Sequence, residues 1–286
     1  MGDELLLRSL VDDGLYTPEI KSHSLQKIRL HNYYVDMFTT SMREKWPQLA
    51  YLGLYSGSGR ARIHGTGEII ETTALSAFRL RHPFTKYILV DNDARCVNAL
   101  RARIATLPEQ HDVMLIQADV GEAVPRIIGA MPSFGRGRGL LSFCFVDPFS
   151  AALDFEVIKA LGQRYRMDFL VVLMFGRDIR TNFRRYLADP NDTRIAALID
   201  DPDWRDEWRE GQNKAPHLLR FMLRKFDAAM TRLGYKGARP SEAQPIRVSG
   251  KRVFLYFLVL YSKSPLGKRF WEATRRGTDP QTRLEL

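Results

Sequence analysis

The sequence predicts an α/β chain: a mostly parallel sheet flanked by helices, with a helical insertion. Two observations predict it. Short, nearly continuous apolar runs, each ended by glycine or aspartate, have the form of strands buried on both faces. Between them lie longer segments whose apolar residues recur three and four positions apart, the period of an amphipathic helix. Alternating strands and helices specify parallel pairing with helices on both faces.

The elements follow in order. Residues 24–42 carry Leu25, Ile28, Tyr33, Val35 and Phe38 near helical spacing, a helix that opens the domain. "LAYLGLYS" is a buried strand running into the glycine-rich "SGSGR". "IIETTALSAFRLR" reads as a helix, and "KYILVDND" as a second strand ending on acids. "DARCVNALRARIATL" places Cys96, Leu100 and Ile104 on one helical face, and "VMLIQADVGEAVPRII" is strand into helix. "GLLSFCFVDPFS" is a strand ending at Asp147, "DFEVIKALGQRY" a helix and "DFLVVLMF" a strand. An insertion around 189–213, holding Pro190, Pro202 and an acidic patch, reads as a helical cap. A long helix closed by Gly234 and a last strand, "KRVFLYFLVLYSKS", complete the chain. Residues 1–22 are expected to form an arm and 23–286 one domain.

Composition narrows the function classes. A chain of 286 residues, 45% hydrophobic, can bury a full core. No apolar run reaches the roughly eighteen residues that cross a bilayer, and the first residues lack a secretory signal, so a soluble, cytoplasmic protein without membrane attachment is expected. Cys96 and Cys144 are too few for a metal cluster or disulfide framework and are expected to be buried thiols; no metal site is expected. The net charge is +10. From Tyr235 onward, eleven Lys or Arg face four acids, a basic C-terminal region suited either to DNA or RNA phosphates or simply to a solvated surface.

Ligands of an open parallel sheet bind beyond the carboxyl ends of its strands. There, Tyr55, Ser56, Gly57 and Gly59 form the first loop, with the glycines letting backbone pass close to a ligand. Asp91, followed by Asn92, ends the second strand, where its two oxygens suit two ribose hydroxyls; Asp119, after the third, suits an adenine amino group. Each aspartate can equally cap a helix or shape a turn. Glycines, acid and acid at successive strand ends fit S-adenosylmethionine. They fit it better than a nicotinamide dinucleotide, because "GSGRAR" lacks the third glycine of that fingerprint; a nicotinamide-dependent oxidoreductase stays as a third, weaker alternative. Asp147, Pro148 and Phe149 suit methyl transfer to an exocyclic amino group: the carboxylate and the proline carbonyl orient the nitrogen, and the ring stacks on a flat substrate. The same residues also suit a plain Asp-Pro turn. Arg177, Arg180 and Arg184 form either a phosphate-facing stripe or a solvated helix face, and His23 and Lys27 share a face of the opening helix.

The succession "SHSLQKIRLHNYY", "YLGLYSGSGR", "YILVDND", "QADV", "FCFVDPFS" and "FLYFLVLYSKSPLGKRFWEATR" resembles the three-Cys-motif partner family, TcmP, from about His23 to Arg276. Its best pieces are the Asp-Pro-Phe and the ending with Ser262 or Ser264, Pro265, Gly267 and Trp271. The resemblance implies a Rossmann-like class I methyltransferase fold with a mostly parallel seven-stranded sheet, an S-adenosylmethionine cofactor and a three-Cys-motif protein partner of the radical-S-adenosylmethionine kind. Three positions depart from the family: Gly53 stands where an acid opens the glycine loop, Glu71 to Thr73 replace a Gly-Ser-Pro, and Ser150 replaces a glycine. The first departure removes a contact to the methionine ammonium group. The leading expectation is therefore a methyltransferase acting on an amino group of a nucleic acid; the alternative is a methyltransferase-fold protein that works by docking a partner.

Overall fold

The computed structural model describes residues 9–135, 139–211, 217–237, 241–248 and 253–278. In chain order the first half comprises β1 (Glu19–Ile20), α1 (Ser24–Met42), β2 (Gln48–Leu54), β3 (Arg60–Ile63), β4 (Ile69–Glu71), α2 (Thr73–Ser76), β5 (Lys86–Asp91), α3 (Ala94–Ala105), β6 (Val113–Gln117) and α4 (Val120–Ala130). The second half comprises β7 (Leu140–Val146), α5 (Phe155–Arg164), β8 (Met167–Leu173), a π-helical turn (Phe175–Ile179), α6 (Arg180–Ala188), α7 (Arg194–Ile199), α8 (Trp204–Glu210), α9 (Leu218–Arg232), β9 (Gln244–Arg247), β10 (Phe254–Tyr261) and α10 (Pro265–Gly277).

The main sheet has seven strands in the order β6-β5-β2-β7-β8-β10-β9. The first five are parallel, and β10 runs antiparallel to both its neighbours. This is the mostly parallel sheet that the apolar runs predict, and its seven strands are the number that the family resemblance implies. The central strands β2, β7 and β8 are buried along nearly their whole length, which is why their sequences lack alternation. β9 escapes a sequence reading because it is a four-residue edge strand; its Pro245, which cannot donate to a ladder, is tolerated there.

One apolar core lies between the sheet and α4, α5, α7 and α9; a second lies between the sheet and α1, α2 and α10. The insertion is helical as expected but starts earlier, since α6 follows the π-helical turn directly. It is seated by aromatic contacts, Phe183 on Trp208 at 4.8 Å and Trp208 on Phe221 at 5.1 Å.

Two readings need correction, and one helix has no counterpart in the sequence reading. The expected helix over "IIETTALSAFRLR" is instead strand β4 followed by one turn, α2, because Ile69 and Ile70 pair with β3 across a turn holding Gly65 and Gly67 at positive φ. The arm is not separate from the domain along its described length: β1 pairs with β3, and Leu10 bridges to Ile69. Finally, the C-terminal segment after β10 forms a helix, α10, with Ser264 as its cap. Among the described residues, no helix is long and apolar enough to cross a membrane.

Candidate functional site

The sheet order places a topological switch at β2 and β7. The connection leaving β2 leads toward β5 and the one leaving β7 toward β8, so the loops diverge and open a crevice. Its first wall is the glycine loop. Tyr55, Gly57 and Gly59 all have positive φ, at 63°, 66° and 82°, with Ser56 and Ser58 between them. This alternation turns the chain sharply at the end of β2, and it holds a tyrosine in a conformation that costs a non-glycine residue about 1 kcal/mol or more. A β-carbon on Gly57 would meet nothing within 4 Å, so its backbone is open to a ligand. Gly59 differs: its β-carbon would lie 2.8 Å from Leu100 Cδ1, so that glycine serves packing against α3 and not a ligand. Ser56 is also turned inward, its hydroxyl donating to the Gly53 carbonyl at 2.9 Å.

Asp91 ends β5 and is 6% exposed. One oxygen accepts from the Gly57 N–H at 2.7 Å and the other from the Asp93 N–H at 2.9 Å. Each carboxylate oxygen keeps a second acceptor site beyond these backbone bonds. Asn92 is exposed beside it. Asp119 caps α4, accepting from the Gly121 N–H at 2.9 Å, yet remains exposed at the mouth of the crevice. The Tyr55 phenol is pushed up to about 12, chiefly by burial and then by the charges of Asp119 and Asp154, the caps of α4 and α5.

The second wall carries Asp147 and Pro148. Asp147 is not free: Lys27 Nζ on α1 lies 2.7 Å from Oδ1 and 2.5 Å from Oδ2, with the two side chains only 16% and 20% exposed. Lys27 also sits 6.0 Å from the ring centroid of Tyr256 on β10, and His23 packs edge-on against that ring at 6.4 Å. Among the described residues the buried Tyr256 hydroxyl has no hydrogen-bond partner, and burial together with the Asp147 charge raises its pKa above the ordinary phenol value. Pro148 is buried, whereas Phe149 next to it is 83% exposed.

Residues that sequence reasoning passed over hold these walls in place. Asp178, in the π-helical turn, accepts from the Ala151 N–H, Asn182 Nδ2 and the Tyr186 hydroxyl; burial raises its pKa, but these hydrogen bonds outweigh it and the net shift is downward. Arg103 of α3 is 2% exposed and binds Asp13, the Thr17 hydroxyl and the carbonyls of Tyr16 and Ser58, clamping the N-terminal segment to the glycine loop. An arginine inside an amphipathic helix gives no local sign of such partners.

The charge expectations are partly redistributed. Lys263 and Lys268 donate to the Gly162 and Gly237 carbonyls and Arg275 to the Ser241 carbonyl, so these C-terminal cations are engaged within the fold. Arg239, Lys251, Arg252, Arg283 and the side chain of Arg177 lie outside the described residues. Arg180 and Arg184 are exposed on α6. Cys96 and Cys144 are buried, and burial raises both thiol pKa values.

The crevice fits the adenosyl half of S-adenosylmethionine better than the methionine half. Gly57 leaves an open cradle beside Asp91, but no acid can stand at position 53 without disturbance: a β-carbon there would lie 2.8 Å from Ser56 Oγ and 3.0 Å from Leu89 Cδ2. Among the described residues, the Lys27–Asp147 pair is a charged pair at the end of the adjoining strand β7.

No protein-family model and no curated protein sequence matches the chain. Several solved structures are similar to it in part. A Legionella pneumophila protein of family DUF519 is 12% identical with a TM-score of 0.46, over 89% of this chain and 93% of that one. Trm1 from Pyrococcus horikoshii, solved with S-adenosyl-L-methionine, is 12% identical with a TM-score of 0.41, over 94% of this chain and 62% of that longer one. An O-methyltransferase from Bacillus cereus, solved with S-adenosylhomocysteine, is 9% identical with a TM-score of 0.42, over 81% and 80%.

Proposed function

We propose that the chain is an S-adenosylmethionine-dependent methyltransferase that modifies an amino group on a flat ring of a nucleic acid. The observation that carries this is the crevice at the switch point, where the open Gly57 backbone is hydrogen-bonded to Asp91 on one side and Asp147 stands on the other. Asp91 and the Gly57 backbone would hold the ribose, and Asp119 with Asn92 would border the adenine. When bound, the cofactor supplies an electrophilic methyl group. Asp147 accepts an N–H of the acceptor and turns the nitrogen lone pair toward the crevice. The proton that nitrogen must lose leaves through the same carboxylate, which is 20% exposed to solvent. Phe149 offers an exposed ring for stacking, and Arg180 with Arg184 offers cations for phosphate; both support a nucleic-acid acceptor over a small free amine.

Isothermal titration with S-adenosylmethionine and S-adenosylhomocysteine tests the cofactor. Micromolar binding that Asp91→Ala abolishes is expected; absence of binding to the wild-type protein overturns the reading. Asp147→Ala should then abolish transfer of labelled methyl groups to oligonucleotides while sparing cofactor binding.

A second reading has its own observation. Lys27 occupies both oxygens of Asp147, and Gly53 offers no acid, as expected of a methyltransferase-fold protein that acts by docking a partner such as a three-Cys-motif protein. Co-purification with such a partner without cofactor binding would favour it.

A further inference from the structure

We propose that Lys27 is the group that binds the α-carboxylate of the methyl donor, and that it leaves Asp147 to do so, opening that carboxylate for the acceptor. This inference rests on the methyltransferase reading above.

Three observations lead to it. The first is direction. Asp119, Asp91, the Gly57 backbone and Asp147 stand at the ends of β6, β5, β2 and β7, which are consecutive neighbours in the sheet. With strands about 4.8 Å apart, Asp147 lies two strand spacings, about 10 Å, from the ribose acid Asp91, on the side away from Asp119. An adenosyl group whose base borders Asp119 and whose ribose sits on Asp91 extends its amino-acid tail over β2 to Asp147. The second is charge. A zwitterionic tail needs a cation for its carboxylate, and the Lys27 ammonium is already there, brought in by α1 and held 2.5–2.7 Å from Asp147. The third is incompleteness. The Tyr256 ring centroid lies 6.0 Å from the Lys27 ammonium, and its buried hydroxyl has no hydrogen-bond partner among the described residues, an arrangement that a ligand with further polar atoms would relieve.

A lysine is suited to this exchange because its ammonium donates three hydrogen bonds from a flexible stem, and it need not give up Asp147 entirely to take up a second carboxylate. The consequence is ordered binding. Until the donor arrives, Lys27 covers both oxygens of Asp147; once its charge is shared, one oxygen is available to the acceptor N–H.

The test compares two ligands that differ in the tail alone. S-Adenosylhomocysteine carries the amino acid; 5′-methylthioadenosine lacks it. Titration of the wild-type protein and of Lys27→Met with both is expected to show the variant weakened about tenfold to a hundredfold for S-adenosylhomocysteine, the range of a charge-assisted hydrogen bond, and within about twofold for methylthioadenosine. Lys27→Arg, which keeps the charge, is expected to recover part of the preference and so to exclude a general loss of folding. If both ligands bind the wild-type protein and Lys27→Met changes them equally or not at all, the role of Lys27 is overturned and the methyltransferase reading stands. If neither ligand binds the wild-type protein, both fail together.

Discussion

The two faces of the sheet are built differently. On the face covered by α4, α5, α7 and α9, the core is largely carbon: Phe155 meets Phe226 edge-on at 5.5 Å, and aliphatic side chains fill the space around them. On the α1 face, polar groups are buried among the rings. His31, fully buried, joins Asn32 and the Tyr51 hydroxyl at 2.9 Å each, and Ser76 donates to Asn32 at 2.7 Å. The Tyr34 hydroxyl donates to the buried carboxylate of Asp168 at 2.8 Å. Apolar packing tolerates small rotations of a helix, whereas buried hydrogen bonds fail abruptly with angle and leave costly orphans. Lys27, His31 and Tyr34 are four and three residues apart, one stripe of α1. The polar contacts below them therefore fix the rotation of α1 and set Lys27 against Asp147. The carbon-rich face supplies stability; the polar face supplies aim.

The difference can be broken most forcefully on the carbon-rich side. Phe155→Ala should cost about 3–5 kcal/mol, independent of pH, as read from urea unfolding; a loss below about 1 kcal/mol would mean that this face is not the main apolar support.

The polar side should show a compensated pH response. Burial pushes Asp168 up to about 6, against hydrogen bonds from Ser262 and Tyr34, and burial pushes His31 down to about 4. The raised aspartate binds its proton more tightly in the folded state, so its contribution improves as pH falls from about 6 to 4. The depressed histidine does the reverse, losing stability as pH falls from 6.5 to 4. At about 1.4 kcal/mol per pH unit, each amounts to at most about 3 kcal/mol, and they oppose each other. Asp168→Asn should expose the histidine slope, a protein that weakens on acidification between pH 6.5 and 4. A variant whose urea midpoint follows the wild-type pH profile would remove the compensation.

The smallest effect is the sharpest in sign. Tyr256→Phe deletes a buried hydroxyl that has no partner among the described residues, so the free protein should gain about 1 kcal/mol in thermal unfolding. A loss instead would show that the hydroxyl already has a role in the free fold.

Legibility followed the reach of each interaction. The central strands were readable because burial on both faces leaves a continuous apolar run, as in "DFLVVLMF". The strands β3 and β4 were not, because four and three residues beside a glycine turn carry too little pattern to separate from a loop. Within the crevice, Asp91 and Asp147 were visible as acids at strand ends. Gly57 and Gly59 looked alike, and only packing against Leu100 separates them. Lys27 lay 120 residues from the carboxylate it pairs with, and no spacing rule spans that distance.

The sequence by itself determined the alternation of strands and helices, the acids and glycines at the strand ends, and hence the fold class, since these rest on local periodicity and on chemistry carried by single residues. The tertiary structure decided which way the strands order, which glycine faces open space, and that Asp147 is held by Lys27 instead of standing free. Those outcomes depend on contacts between distant segments, whose energies are set by distance and angle in the folded chain and leave no mark on neighbouring residues.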